Sequence, residues 1–137
     1  MKYERFSIQN KGELFEKASP MHDCSFTASY ENETLVLHYE GLDSYRTPED
    51  KPFFDGFQRV TVRYLGVRRF DMQLKFGKKE KDHDNTLAPI NGKENSMFCF
   101  SIDSFNTLTL TFRVMIKKKL WGGRITMFPK EVEYLWE

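Results

Sequence analysis

The stretch "TLTLTFRVMIKK" (residues 107–118) decides the fold class, because apolar and polar side chains alternate along it at every second position. One parity holds the apolar residues Leu108, Leu110, Phe112, Val114 and Ile116. Successive side chains of a β-strand point to opposite faces. The pattern therefore predicts a strand with one buried face and one face in water.

The same alternation recurs along most of the chain. It marks "RRFDMQLKFG" (68–77), "FQRVTVRYL" (57–65) and "SMFCFSID" (96–103), the last of which is apolar on nearly both faces and has Phe98 and Phe100 on one parity. The runs "CSFTASY" and "LVLHYEG" flank the polar "ENET" and predict a hairpin. Shorter strands are expected at 124–128 and 132–136, with a tight turn at Gly122-Gly123.

About eight short antiparallel strands predict an all-β fold, either a β-sandwich or a partly closed β-barrel. "GELFEKAS" (12–19) adds one short helical turn near the N-terminus. The 137 residues match a single domain over 1–137. Two segments break the strand rhythm and predict loops: 41–56, which is rich in aromatic residues, and 77–95, which is charged and expected to be solvated.

The composition narrows the classes of function. Twenty-one Lys and Arg against 20 Asp and Glu give a net charge of +1, so no long-range field draws the chain to nucleic acid. No apolar run approaches the roughly 20 residues of a membrane span, and the first ten residues lack the apolar region of a secretory signal. We therefore expect a cytoplasmic protein without membrane association.

The stretch "MHDCSFTASY" (21–30) raises the question of chemistry, because His22, Asp23 and Cys24 are adjacent. Parity places Cys24 on the core face with Phe26, where a thiol is protonated and inert. We interpret the stretch as the start of a strand, with His22 bonding a backbone carbonyl and Asp23 capping a turn. Cys24 and Cys99 are both interpreted as small buried hydrophobic residues without a disulfide.

No metal site or cofactor is predicted. "DHD" (82–84) is three adjacent residues that cannot all converge on one ion, and no paired spacing of Cys or His is present. The glycine-rich phosphate loops and the esterase elbow are also missing from the sequence.

The run "MHDCSFTASYENETLVLHYEGL" (21–42) resembles the opening of a loose group of small bacterial β-rich domains, in which a His-Asp pair precedes a β-hairpin. The group includes uncharacterised proteins and immunity proteins of polymorphic-toxin systems. The resemblance implies a non-enzymatic, cytoplasmic protein that works by binding another protein.

Our first functional hypothesis is accordingly a protein-binding module and not an enzyme. Its contact surface is expected at the 41–56 loop, with Tyr45, Phe53 and Phe54, and at the end near Trp121, because aromatic residues dominate interface hot spots.

Two alternatives stay open. The first is a small-molecule carrier or enzyme with a pocket near His22 and His38. The second is single-strand nucleic-acid binding through Arg-rich sheet faces that include Arg63 and Arg113, although the abundant acidic residues favour an ordinary solvated face. The sequence leaves monomer and dimer equally open.

Overall fold

Ten β-strands and one α-helix make up the described part of the structure, a computed structural model that describes residues 1–42 and 56–137. In chain order they are β1 (Lys2–Ser7), α1 (Lys11–Ala18), β2 (Ser25–Glu31), β3 (Thr34–Tyr39), β4 (Val60–Leu65), β5 (Phe70–Phe76), β6 (Lys79–Asp84), β7 (Asn95–Ile102), β8 (Leu108–Ile116), β9 (Lys119–Met127) and β10 (Glu131–Trp136). Short 3-10 helices lie at Ser19–Met21 and Ala88–Ile90. No helix in these ranges is long and apolar enough to cross a lipid bilayer.

All ten strands belong to one antiparallel sheet in the order β1-β10-β4-β3-β2-β7-β8-β9-β5-β6. Two halves of five strands meet where β2 pairs with β7, and this seam consists of two residue pairs, Ser25 with Ser96 and Phe26 with Asn95. The sheet is not closed, since β1 and β6 are its edges. The predicted all-β fold is confirmed, as an open barrel or sandwich.

The core joins the two halves. Phe26 of β2 meets Phe112 of β8 edge to face, with ring centroids 5.7 Å apart, and both rings are buried. The predicted alternation is confirmed for β4, β5 and β8, whose apolar parity faces inward. Helix α1 adds Leu14, which is fully buried, so the predicted N-terminal helical segment is confirmed as well.

The described residues form ten strands where the alternation predicts about eight, and the two further strands are β1 and β6. Both are edge strands, and "KEKDHD" of β6 is exposed at five of its six residues, so no apolar parity reveals it. Charged edge strands discourage pairing with other chains. Residues 77–95 are therefore not one solvated loop, since they form β6 and then bury Leu87 and Ile90.

The tight turn expected at Gly122-Gly123 is also wrong. The chain reverses at Lys117-Lys118, where φ is +50° and +65°, and the two glycines lie inside β9. Gly123 is needed for packing, because a Cβ there would lie 2.3 Å from the ring of Phe112. The glycine pair therefore marks a place where the Phe112 ring packs closely against β9, and not a reversal of the chain.

Candidate functional site

A β-bulge in β7 sets the geometry of the candidate site. The register of β7 against β8 shifts between Met97 and Cys99, so Phe98 is an extra residue in the strand. Met97 and Phe100 are buried, whereas Phe98 points outward and is 49 % exposed. The expectation that Phe98 and Phe100 share one face is wrong, because a bulge sets two residues opposite one and breaks the period of two.

Two side chains contact the exposed ring. The guanidinium of Arg113 lies over Phe98 at 5.3 Å from the ring centroid, and the imidazole of His22 is tilted against it at 5.6 Å. Arg113 comes from β8, the strand paired with β7, and His22 precedes β2. The bulged ring is thus held between side chains from two other parts of the chain.

The stretch around His22 is fixed by its backbone. Asp23 has φ of +66°, and its N–H donates to the carbonyl of Met97 at 2.7 Å. The His22 side chain lies with Nδ1 3.0 Å from Asp23 Oδ2, in contrast to the backbone carbonyl bond that we expected. The strand itself begins at Ser25, and Cys24 is buried as its parity indicates.

A groove of about 160 Å³ separates α1 from β7, and we name it the Phe98 groove. It is lined by Phe15, Ala18, Ser19, His22, Met97, Phe98, Cys99 and Phe100. Phe15 is 57 % exposed, so both groove aromatics face water. Cys99 is exposed, which shows that its assignment as a buried residue is wrong, again because the bulge reverses parity.

A second groove, of about 330 Å³, lies on the outer face of β5, β8 and β9, and we name it the basic groove. It is lined by Gln73, Lys75, Phe98, Thr111, Phe112, Arg113, Gly122, Gly123 and Arg124. Phe98 lines both grooves, and Arg113, which lies over the Phe98 ring, lines the basic groove. The exposed Phe98 ring therefore lies between the Phe98 groove and the basic groove.

His38 lies apart from this surface. It is exposed on β3, its Nδ1 is 3.1 Å from Thr61 Oγ1, and it lines an open groove with Glu40 and Glu94. His22 lines the Phe98 groove instead. The structure thus does not bring His22 and His38 into one pocket.

One small cavity lies in the described interior between the two halves. The cavity lined by Tyr39, Tyr64 and Tyr134 has a volume of about 10 Å³, near the minimum for one water molecule. Burial raises the pKa of all three phenols, so they are neutral at physiological pH. This cavity has no room for a substrate.

Trp121 is half-buried near the start of β9. Its ring is 5.4 Å from that of Phe76, and the ammonium of Lys81 lies 5.8 Å from the Trp121 ring. The other aromatic residues of the hypothesised contact surface, Tyr45, Phe53 and Phe54, lie outside the described residues.

Several of the basic residues considered for nucleic-acid binding are matched by acids. Arg63 Nη1 is 4.0 Å from Glu133, and Arg69 forms a two-pronged pair with Asp84 at 2.6 and 3.0 Å. The Asp84 carboxylate raises the pKa of Arg69 further. Across residues 1–42 and 56–137, no group of three His, Cys, Asp or Glu side chains is arranged to hold a metal ion.

Sequence reasoning missed the surface around Phe98. The available signal was the run Met97–Phe100, in which four successive apolar side chains cannot all face inward from a regular strand. Alternation alone predicts a strand that is apolar on nearly both faces. Nothing in the local pattern tells which of its residues is left outside.

Comparison of the chain with known proteins finds no match. A scan against protein-family models matches no family, a search of curated proteins finds no similar sequence, and a search of solved structures finds no similar fold.

Proposed function

We propose that this chain is a non-enzymatic protein-binding module, and that its partner docks on the surface formed by Phe98 and the Phe98 groove. The single observation that carries the proposal is the outward Phe98 ring in the β7 bulge. Bulges are features that re-aim side chains, often beside functional sites. Here the bulge lets Met97 and Phe100 both face inward, while Phe98 and Cys99 between them face outward.

The chemistry around this ring is that of an interface centre. Phe98 and Phe15 supply exposed aromatic surface on two walls of one groove, and Arg113 is stacked on Phe98. Aromatic residues and arginine are enriched at protein interfaces, and tryptophan, tyrosine and arginine supply most hot spots. The groove would accept one apolar side chain of the partner, with Arg113 bonding at its margin.

The resemblance of residues 21–42 to bacterial immunity proteins supports the same proposal. In this chain the His-Asp pair of that stretch lies beside the proposed docking surface, because His22 packs against Phe98. An immunity-like role in a bacterial cytoplasm is therefore part of the proposal. Reduced thiols fit that compartment, since buried Cys24 and exposed Cys99 are not joined in a disulfide.

Trp121 and, outside the described residues, Tyr45, Phe53 and Phe54 are proposed as further residues that contact the partner. Trp121 offers part of its ring to solvent beside Lys81. Alanine at Phe53 or Phe54 should weaken partner capture and leave the melting temperature unchanged.

The proposal is tested by a quantitative pull-down from a lysate of the source organism, with three forms of the protein. They are the wild type, Phe98→Ser, and Phe128→Ser as the matched control at another exposed phenylalanine. We expect one protein to be retained by the wild type and by Phe128→Ser and lost with Phe98→Ser. Retention that does not depend on Phe98, or no retained protein, would overturn the proposal.

A further inference from the structure

The basic groove has a gap in its floor where a side chain would normally stand. Gly122 of β9 pairs with Lys75 of β5 on one side and with Arg113 of β8 on the other. Cross-strand partners project from the same face of a sheet. The two cations therefore flank a position that has no side chain, and Arg124 follows two residues further along the same face of β9.

The arginines of this groove bond to neutral groups. Arg113 lies over the Phe98 ring, and Arg124 Nη2 donates to Gln73 Oε1 at 2.8 Å. Among the described residues, neither guanidinium has a carboxylate oxygen within 4.0 Å. Lys75 is the exception in the groove, since its ammonium lies 3.5 Å from Glu80.

We propose that the basic groove binds carboxylate side chains from an acidic segment of the partner protein. This inference rests on the proposed function, because the same segment would place an apolar side chain in the adjoining Phe98 groove. A guanidinium stacked on a ring keeps its N–H edge free to bond a carboxylate with two parallel hydrogen bonds. Charge complementarity then fixes the direction and register of the segment.

An acidic protein segment fits the groove better than a nucleic acid does. Single-strand nucleic-acid binding uses several aromatic faces on which successive bases stack, whereas the described lining of the basic groove has one exposed aromatic ring, Phe98, and Arg113 already lies over it.

The test uses a fluorescein-labelled nonapeptide in which glutamates alternate with leucines around a central phenylalanine. Its dissociation constant is measured by anisotropy at two salt concentrations, beside a glutamine version of the peptide and an oligothymidylate of equal length. The proteins are the wild type, Arg113→Ala, Arg124→Ala and Gly122→Val. Arg63→Ala is the matched control, an exposed arginine on the other half of the sheet.

We expect the acidic peptide to bind the wild type, and each groove arginine variant to weaken binding about fivefold, since each removes a charge-assisted contact. Gly122→Val should weaken it as well without any change of charge, because it fills the gap. A Cβ at Gly122 has its nearest neighbour, the Lys75 carbonyl, at 3.8 Å, so this variant should fold. Arg63→Ala should bind like the wild type.

Three outcomes would overturn the inference: equal binding of the glutamine peptide, equal losses in Arg63→Ala, or tighter binding of the oligothymidylate. Circular dichroism of each variant separates lost binding from lost fold. If Phe98→Ser abolishes partner retention while the groove variants keep it, the protein-binding proposal stands and the acidic-segment inference fails. Peptide binding without any retained partner would show that the groove binds carboxylates but that the protein-binding proposal fails.

Discussion

Gly122 and Gly123 are neighbours in β9 with opposite packing constraints. A Cβ at Gly123 would lie 2.3 Å from the ring of Phe112, which is 1 % exposed and has no room to move, whereas a Cβ at Gly122 meets nothing closer than 3.8 Å. Gly123→Ala should therefore lower the free energy of unfolding by about 1–3 kcal/mol, the usual cost of overpacking a core. Urea denaturation measures the change.

The control for this experiment is Gly122→Ala. Alanine at a strand position open to solvent should leave stability unchanged or raise it by up to about 1 kcal/mol, because it restricts the unfolded chain. Equal effects of the two substitutions would show that the contact with Phe112 does not determine the choice of glycine at 123.

Single residues of the candidate site were predictable where parity is regular and unpredictable where it is not. Cys24 follows the alternation of β2 and is buried as expected. Phe98 is the extra residue of a bulge and Cys99 follows it, so the same reasoning places both on the wrong face. A bulge depends on the pairing with β8, and that pairing is not visible in the local sequence.

At the scale of elements, the β8–β9 hairpin carries a strained turn. Lys117 and Lys118 both have positive φ, as the central residues of a type I′ turn do, and lysine is a poor residue for that conformation. Replacing the pair by Asn-Gly should raise the free energy of unfolding by about 1–2 kcal/mol. Thermal and urea unfolding report the gain.

The double variant Lys117→Gln/Lys118→Gln is the matched control for the turn. It removes the same two charges without relieving the left-handed backbone, so its stability should stay within about 0.5 kcal/mol of the wild type. If the glutamine pair stabilises as much as Asn-Gly, repulsion between the lysines is the cause and the backbone argument is wrong.

The β7–β8 connection depends on the carboxylate of Asp103. Its Oδ1 accepts N–H bonds from Thr107 at 3.0 Å and Phe105 at 2.8 Å, and these bonds, that of Thr107 first, hold the pKa of Asp103 below its ordinary 3.8. A carboxyl whose pKa is lower in the folded state stabilises the fold above its unfolded pKa. That stabilisation is lost as the pH falls through the folded pKa.

Asp103→Asn should therefore have a lower melting temperature than the wild type at pH 7, by a gap that stays constant down to about pH 5. The gap should close as the pH falls below about 4, because the wild-type carboxyl then becomes protonated. Glu16→Gln, on the exposed face of α1, is the control. A gap that persists unchanged at pH 2.5 would mean that the charge of Asp103 does not stabilise the turn.

The elements that the sequence failed to reveal share a position at the sheet edge. An inner strand needs an apolar face, and this face produced the visible alternation in β4, β5 and β8. Edge strand β6 is held by polar bonds across to β5, such as Gln73 Nε2 to Asp82 Oδ1 at 2.9 Å. The residues that form such bonds show no alternation of apolar and polar side chains, so reasoning from alternation predicts a loop.

At the scale of the whole molecule, the strand order joins segments that are distant in sequence. Hairpin pairs such as β2–β3 and β8–β9 follow from local pattern, whereas β1–β10, β5–β9 and β2–β7 unite strands far apart in the chain. Local alternation tells which face of a strand is buried but does not identify its neighbour. The fold class was therefore accessible from the sequence, and the topology was not.

This topology raises the question of whether the two halves of the sheet unfold together. Their backbone seam has two residue pairs, but their inner faces share one core in which Phe26 packs on Phe112. Burial of common apolar surface makes unfolding cooperative, so we expect one transition. Each half contains one tryptophan, Trp136 in β10 and Trp121 in β9, and the pair can report the halves separately.

The experiment uses two single-tryptophan variants, Trp121→Phe and Trp136→Phe, and compares tryptophan fluorescence with far-ultraviolet circular dichroism across a urea titration. Trp136→Phe loses the hydrogen bond from Nε1 to Glu4 Oε1 at 2.8 Å, so its midpoint should be lower. The two probes are therefore compared within each variant and not between variants.

Because both halves bury their apolar faces against each other, the fluorescence and dichroism midpoints should coincide in both proteins. A fluorescence midpoint that differs from the dichroism midpoint in either variant would mean that one half stays folded after the other has unfolded. The shared core would then be too weak to make the two halves unfold together across the short β2–β7 seam.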